Sequence, residues 1–129
     1  MRQLTYAVLK EGDGGILRQA PERVLQFGEG NFLRGFADDF IDRMNERAGF
    51  YGRVVVVPPA SAGKAGRINA QQGLYQLCLR GKQNGAVVEE RRMIRCISRA
   101  LDVFADWDEL LRTACQPELR FVISNTTEA

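Results

Sequence analysis

The sequence predicts an α/β chain, a parallel sheet flanked by helices and carrying an inserted β-hairpin. Three observations lead there. Short apolar runs recur at residues 24–27, 54–57 and 121–123, and amphipathic helical stretches stand between them. The run at 54–57 is four valines without alternation, so both of its faces need cover, as in a parallel sheet between helices. The chain has 129 residues, 45% hydrophobic and 26% charged, the balance of one globular domain.

Residues 1–22 read as irregular, with turn chemistry at Glu11-Gly12-Asp13-Gly14-Gly15. Residues 24–27 are short and stop at Gly28, which marks a buried strand. A helix follows. Phe32, Leu33, Phe36, Ala37, Phe40, Ile41 and Met44 recur at helical spacing and form one apolar stripe, expected to face the core. Arg34, Asp38, Asp39, Asp42, Arg43 and Glu46 occupy the other faces, and Gly49 is the terminator. The three aspartates read as a solvated face rather than a metal cluster.

The β-branched run at 54–57 is the second strand, ended by Pro58-Pro59. Residues 60–72 read as a polar loop. Residues 74–80 and 87–98 read as two strands joined through Asn84-Gly85, a hairpin signal. Asp106 opens a second helix, with Glu109 three residues on as in a capping box. Trp107, Leu110, Leu111 and Ala114 supply its apolar face, and Pro117 marks its exit. Leu119 and residues 121–123 form the last strand, before Ser124-Asn125-Thr126-Thr127-Glu128.

Composition excludes several functions. A net charge of +2 gives no concentrated basic face for nucleic acid. No apolar run approaches the roughly 20 residues that span a bilayer, and the start has no apolar signal core, so a cytoplasmic location is expected. Cys78, Cys96 and Cys115 are odd in number and widely spaced, which suits reduced, buried thiols and no metal site. The chain has no histidine, so the commonest acid/base at neutral pH is missing.

The chemistry points to Gly28-Glu29-Gly30, between strand and helix. Glycine permits the tight turn and the close approach of a phosphate. The first amides of the helix, at Asn31, Phe32 and Leu33, can hold an anion, helped by the helix dipole. The usual third glycine of G-x-G-x-x-G is replaced by Leu33. A plain turn that binds nothing is the alternative. No acid follows the second strand to hold a ribose, while Lys64 and Arg67 are within reach, so NAD and NADP both stay open. Asn125, Thr126 and Thr127 would line the same crevice as Gly28, or else cap a following helix with Glu128 in its first turn.

The stretch Pro21-Glu22-Arg23-Val24-Leu25-Gln26-Phe27-Gly28-Glu29-Gly30-Asn31-Phe32-Leu33-Arg34 resembles the opening of the mannitol dehydrogenase family of polyol-specific long-chain dehydrogenases. Gly28, Gly30, Phe32 and Arg34 match its G-x-G-x-F-x-R pattern. The valines at 54–57, Gly73-Leu74-Tyr75 and the ending Ser124-Asn125-Thr126-Thr127-Glu128-Ala129 fit as well, the last pointing to the family's uronate-acting branch.

The resemblance implies that residues 1–129 are the N-terminal part of a Rossmann domain that binds NAD. It implies hydride transfer between D-altronate and D-tagaturonate in the full-length enzyme. The family's catalytic lysine, asparagine and histidine belong to a mostly helical second part, so the chain is expected to be inactive alone and no catalytic residue is assigned. A half-sheet would leave an exposed edge open to self-association. A mannitol- or fructuronate-type dehydrogenase fragment and a non-enzymatic interaction module are the alternatives.

Overall fold

The structure, a computed structural model, describes residues 3–10, 17–59 and 63–125. Six strands and three α-helices are described: β1 (Glu22–Phe27), α1 (Asp38–Arg47), β2 (Arg53–Val57), α2 (Lys64–Ala70), β3 (Tyr75–Gln83), β4 (Ala86–Ile94), β5 (Ile97–Ala100), α3 (Trp107–Ala114) and β6 (Phe121–Ser124). Strands β5-β2-β1-β6 form a parallel sheet, and β3-β4 form an antiparallel hairpin beside it. The chain builds outward from β1 through β2 to β5, then returns through α3 to set β6 on β1's other side. This reversal creates a switch point between β1 and β6, where parallel sheets open a crevice beyond the carboxyl ends of their strands.

The valine run behaves as its pattern requires, since Val54 to Val57 are all buried. Alternate residues serve opposite faces. Val24, Val54 and Val56 join Ile94, Cys96, Ile97 and Ala100, with Ile41 and Ile68 packed on them. Leu25, Val55 and Val57 join Leu101 and Leu110 on the other side. Each buried valine, leucine and isoleucine among them contributes about 1.5–3 kcal/mol by leaving water. At the hairpin tip, Asn84 and Gly85 both have positive φ (52° and 79°), the primed turn that the Asn-Gly pair favours. Gly49, at φ 63°, follows the first helix where a stop was expected.

Several expectations need correction. Residues 60–72 are not all loop: α2 forms there, a seven-residue helix with Gly66 inside and little to bury beyond Ala65 and Ile68. Asn69 ties it down, its amide donating to Ala100 O at 2.9 Å and its oxygen accepting from Ala100 N–H at 2.8 Å. The stretch 87–98 is not one strand. It leaves the hairpin after Ile94, and Ile97 then opens β5, which pairs with β2 in the main sheet. Asp106 does not cap α3 with its side chain; its carboxylate accepts from Asp102 N–H at 2.8 Å, while Glu109 reaches Arg99 and Arg112. Leu110 and Thr113 are α3's buried residues, while Trp107, Leu111 and Ala114 are exposed. Only Cys96 is a buried thiol; Cys78 and Cys115 are free and exposed. The Glu11–Gly15 turn (11–15) lies outside the described residues.

The largest correction concerns the first helix. It runs from Asn31, and Leu33–Ala37 form a π-helical segment in which Asp38 N–H bonds to Leu33 O, five residues back. Leu33 is buried and Ile41 packs on the core, but Phe32, Phe36, Phe40 and Met44 face outward, 60%, 55%, 57% and 39% exposed. The expected solvated face is the buried one. Asp38, Asp39 and Asp42 turn inward. Arg92 of β4 comes within 2.9 Å of Asp39 and 2.6 Å of Asp42, and Arg95 N–H donates to Asp42 at 2.8 Å. Periodicity tells which residues share a face. It does not tell which face meets the core when cations wait on a neighbouring hairpin. Among the described residues no group of acids and cysteines is placed to hold a metal, and no helix is long and apolar enough to cross a membrane.

Candidate functional site

β1 ends at Phe27, and its neighbours fix the turn that follows. Gly28 N–H donates to Val57 O at 2.9 Å, and Asn125 N–H donates to Phe27 O at 3.2 Å. Gly28 has φ 113°, and a Cβ there would stand 2.9 Å from Asn125 O and 3.1 Å from Leu33 Cδ1. Only glycine meets both demands. Gly28→Ala is therefore expected to cost about 1–3 kcal/mol of stability, read by urea denaturation; an unchanged midpoint would mean that the turn relaxes.

Gly30 is different. It is exposed, and a Cβ there would meet nothing within 4 Å. Its carbonyl accepts from Arg34 N–H at 3.0 Å, which starts the helix. Asn31 and Phe32 are exposed on this first turn, where helix amides have no intrahelical partner. Leu33 is buried under Gly28, so its side chain fills the space that a third glycine would leave to the sheet. The structure thus brings Gly28, Gly30, Asn31, Phe32, Leu33 and Asn125 to one end of the sheet. Thr126 and Thr127 lie outside the described residues.

Behind the turn is a polar support that sequence reading missed. Buried Gln26 donates from Nε2 both to Gly28 O and to Asp38 Oδ2, each at 3.2 Å. Asp38 is fully buried, and its Oδ1 has no hydrogen-bond partner among the described residues. Burial pushes its carboxyl up to about 7, against the opposing pull of the Gln26 amide and the Arg34 guanidinium. Tyr75 donates to Arg34 O at 2.6 Å, and the Arg34 guanidinium lies 4.4 Å over its ring. Burial, then the nearby Asp38, raises the Tyr75 phenol, which stays neutral. Glu29 joins Lys64 at 3.1 Å and Arg34 at 3.8 Å, so the turn's one acid is balanced by two cations.

Two separate motifs therefore meet. Arg34 of the first and Tyr75 of Gly73-Leu74-Tyr75 are in contact across 41 positions of chain. Gly73 makes this possible: at φ 76°, a Cβ there would collide with Ile97 O. Both motifs were visible in the sequence; their contact depends on where α2 and the hairpin leave β2.

No protein-family model matches the chain. Its sequence is 50% identical over 111 residues to the altronate oxidoreductase of Bacillus subtilis strain 168, covering 86% of this chain and 23% of that protein. The altronate oxidoreductase of Bacteroides thetaiotaomicron is 52% identical over 111 residues, again 86% of this chain and 23% of the relative. That of Escherichia coli O1:K1 is 46% identical over 112 residues, with the same two shares. Among solved structures, D-sorbitol dehydrogenase in substrate-free form superposes with a TM-score of 0.72 at 22% identity, over 87% of this chain and 23% of that one. The mannitol 2-dehydrogenase of Pseudomonas fluorescens, in a ternary complex with NAD and D-mannitol, superposes with a TM-score of 0.71 at 24% identity, over 84% and 22%. These bear out both the resemblance read from the motifs and the α/β fold class. By sequence the chain is a relative of the altronate oxidoreductases, spanning 23% of their length, and it shares the fold of the matched part of sorbitol and mannitol dehydrogenases.

Proposed function

We propose that this chain is the NAD-binding part of an oxidoreductase that interconverts D-altronate and D-tagaturonate. The observation that carries the reading is the Gly28-Glu29-Gly30 turn, set at the switch point of a parallel sheet in a chain half identical to an altronate oxidoreductase. The residues suit a dinucleotide. Open space at Gly30 admits a pyrophosphate to the amides of Asn31, Phe32 and Leu33, where the helix dipole adds about 0.3–1 kcal/mol. Gly28 lets Asn125 close against the turn. Asn125, Thr126 and Thr127 would border the same crevice. When bound, the nicotinamide supplies the hydride chemistry. This chain's residues bind and orient, and none is assigned to moving the alcohol proton.

Titrating the chain with NADH and following nicotinamide fluorescence tests the reading. Saturable binding below millimolar cofactor is expected. Gly30→Ala should leave stability within about 0.5 kcal/mol, because its Cβ meets no protein atom, yet weaken NADH binding about tenfold or more. No binding at all would leave the interaction-module reading instead, and equal affinity in the variant would mean that the pyrophosphate does not lie against Gly30.

A further inference from the structure

One buried side chain joins the glycine turn to a buried acid. Gln26 is wholly buried near the end of β1. Its Nε2 amide donates at 3.2 Å to Gly28 O, inside the turn, and at 3.2 Å to Asp38 Oδ2, in the first turn of α1. Both protons of the amide are used in this way, so the Gly28 carbonyl and the Asp38 carboxyl share one donor group. A change of charge at Asp38 is therefore felt at the turn through a single side chain.

The surroundings of Asp38 do not neutralise it. On its own helix, Arg34 favours the charged carboxylate and Asp42 opposes it. Arg34 is also paired with Glu29 at 3.8 Å, so this cation is divided between two acids. From β3 comes the neutral Tyr75 phenol. From the link between β4 and β5, the Cys96 thiol donates to Asp38 O at 3.3 Å, and burial keeps that thiol neutral. Arg92 of β4 is taken up by Asp39, Asp42 and Glu46. Glu29, on the turn itself, is paired with Lys64 and lines a cavity of about 20 Å³ together with Arg34, Asp38 and Tyr75. An ionised Asp38 would thus place negative charge directly behind the turn, while a pyrophosphate brings further negative charge to its front. Like charges are weakly screened in a buried setting, so the two oppose one another. A neutral Asp38 removes the conflict and still accepts from Gln26.

We propose that Gln26 and Asp38 are positioning residues for the cofactor, and that the dinucleotide binds the form of the chain in which Asp38 carries its proton, so that an ionised Asp38 takes up one proton from solution as the cofactor binds. This rests on the dinucleotide reading above. Cofactor and proton then favour each other reciprocally. The bound cofactor makes the proton harder to remove, which moves the Asp38 titration upward. Burial sets that titration at about 7 in the free chain. Affinity is accordingly full below about pH 7 and falls as pH rises through it.

NADH titrations of the chain and of Asp38→Asn, followed by nicotinamide fluorescence between about pH 6 and about pH 8.5, test this. The cofactor's own phosphates stay ionised across the range, and every other titrating group is common to the two proteins. The parent's dissociation constant should rise about tenfold from the acid to the alkaline end. That of Asp38→Asn should stay within about twofold throughout, near the parent's acid value, because asparagine stands in for the neutral acid. A flat parent profile, or a slope that the variant reproduces, overturns the proposal and leaves the cofactor reading standing. No NADH binding by either protein at any pH removes the cofactor reading and the proposal with it. A second measurement needs no variant. The carboxyl carbon resonance of Asp38, in carbon-13-labelled chain, is titrated without NADH and with saturating NADH. Its midpoint should rise by about one pH unit, which is the same tenfold. A midpoint that NADH leaves unmoved overturns the proposal.

Discussion

Replacing Arg92 by methionine is expected to destabilise the chain by about 3–5 kcal/mol, a large share of the 5–15 kcal/mol of a typical domain. Arg92 is 12% exposed in its side chain and lies between Asp39 and Asp42, themselves 7% and 3% exposed. Methionine keeps much of the volume and removes the charge. Asp39 retains Arg43, at 3.0 Å, and Asp42 retains the Arg95 amide, but both lose the guanidinium that lies between them. The loss should therefore come from a carboxylate stranded out of water. Burial already raises the Asp42 carboxyl despite Arg92 and the Arg95 amide. In the variant it should rise further, and the stability difference should shrink as acid neutralises it. Arg91→Met is the reference. That side chain is 64% exposed on the outer hairpin and pairs with Glu89, so its loss should stay within about 0.5 kcal/mol. Urea denaturation of both variants decides. Equal, small losses would mean that the hairpin does not hold the helix's acidic face.

Asp38→Asn should act in the opposite direction. The fold prefers this carboxyl neutral, since burial lifts it from 3.8 to about 7. Its contribution is thus fully present below about pH 4, declines as pH rises toward 7, and above 7 becomes the cost of a buried charge. At about 1.36 kcal/mol per pKa unit, the ceiling of that cost is about 4 kcal/mol. Asparagine keeps an acceptor for the Gln26 amide and carries no charge at any pH. Relative to the parent chain, the variant should gain about 2–4 kcal/mol at pH 8 and under about 1 kcal/mol at pH 4. Thermal denaturation across this range reads it. A gain independent of pH would show that Asp38 does not titrate in the window.

The strands that carry the site were legible because their signals are local. Val54 to Val57 read as a strand covered on both faces, and Asn84-Gly85 as a hairpin connection. The Gly28 turn announced itself by composition, and the structure sets Asn125 against it. What escaped depends on contacts between distant elements. Helix α2 is too short and too poor in apolar residues to show a period. Strand β5 continues a run of β-favouring residues, and nothing local marks where it changes sheets. The buried acids misled most: an aspartate pays a heavy penalty for burial unless a partner comes to it, and the partner, Arg92, is 50 residues from Asp42. Gln26, polar in the middle of an apolar strand, was the one local hint of polar support behind the turn.

Backbone amide resonances of the chain, followed by two-dimensional NMR while NAD is added, bear most directly on the proposed site. The amides of Gly30, Asn31, Phe32 and Leu33 should shift first and most, with Asn125 alongside them, and adenosine diphosphate should reproduce the shifts near the turn. Saturating NAD that leaves those amides unmoved, or that moves only residues elsewhere on the surface, would contradict nucleotide binding at the Gly28-Glu29-Gly30 turn.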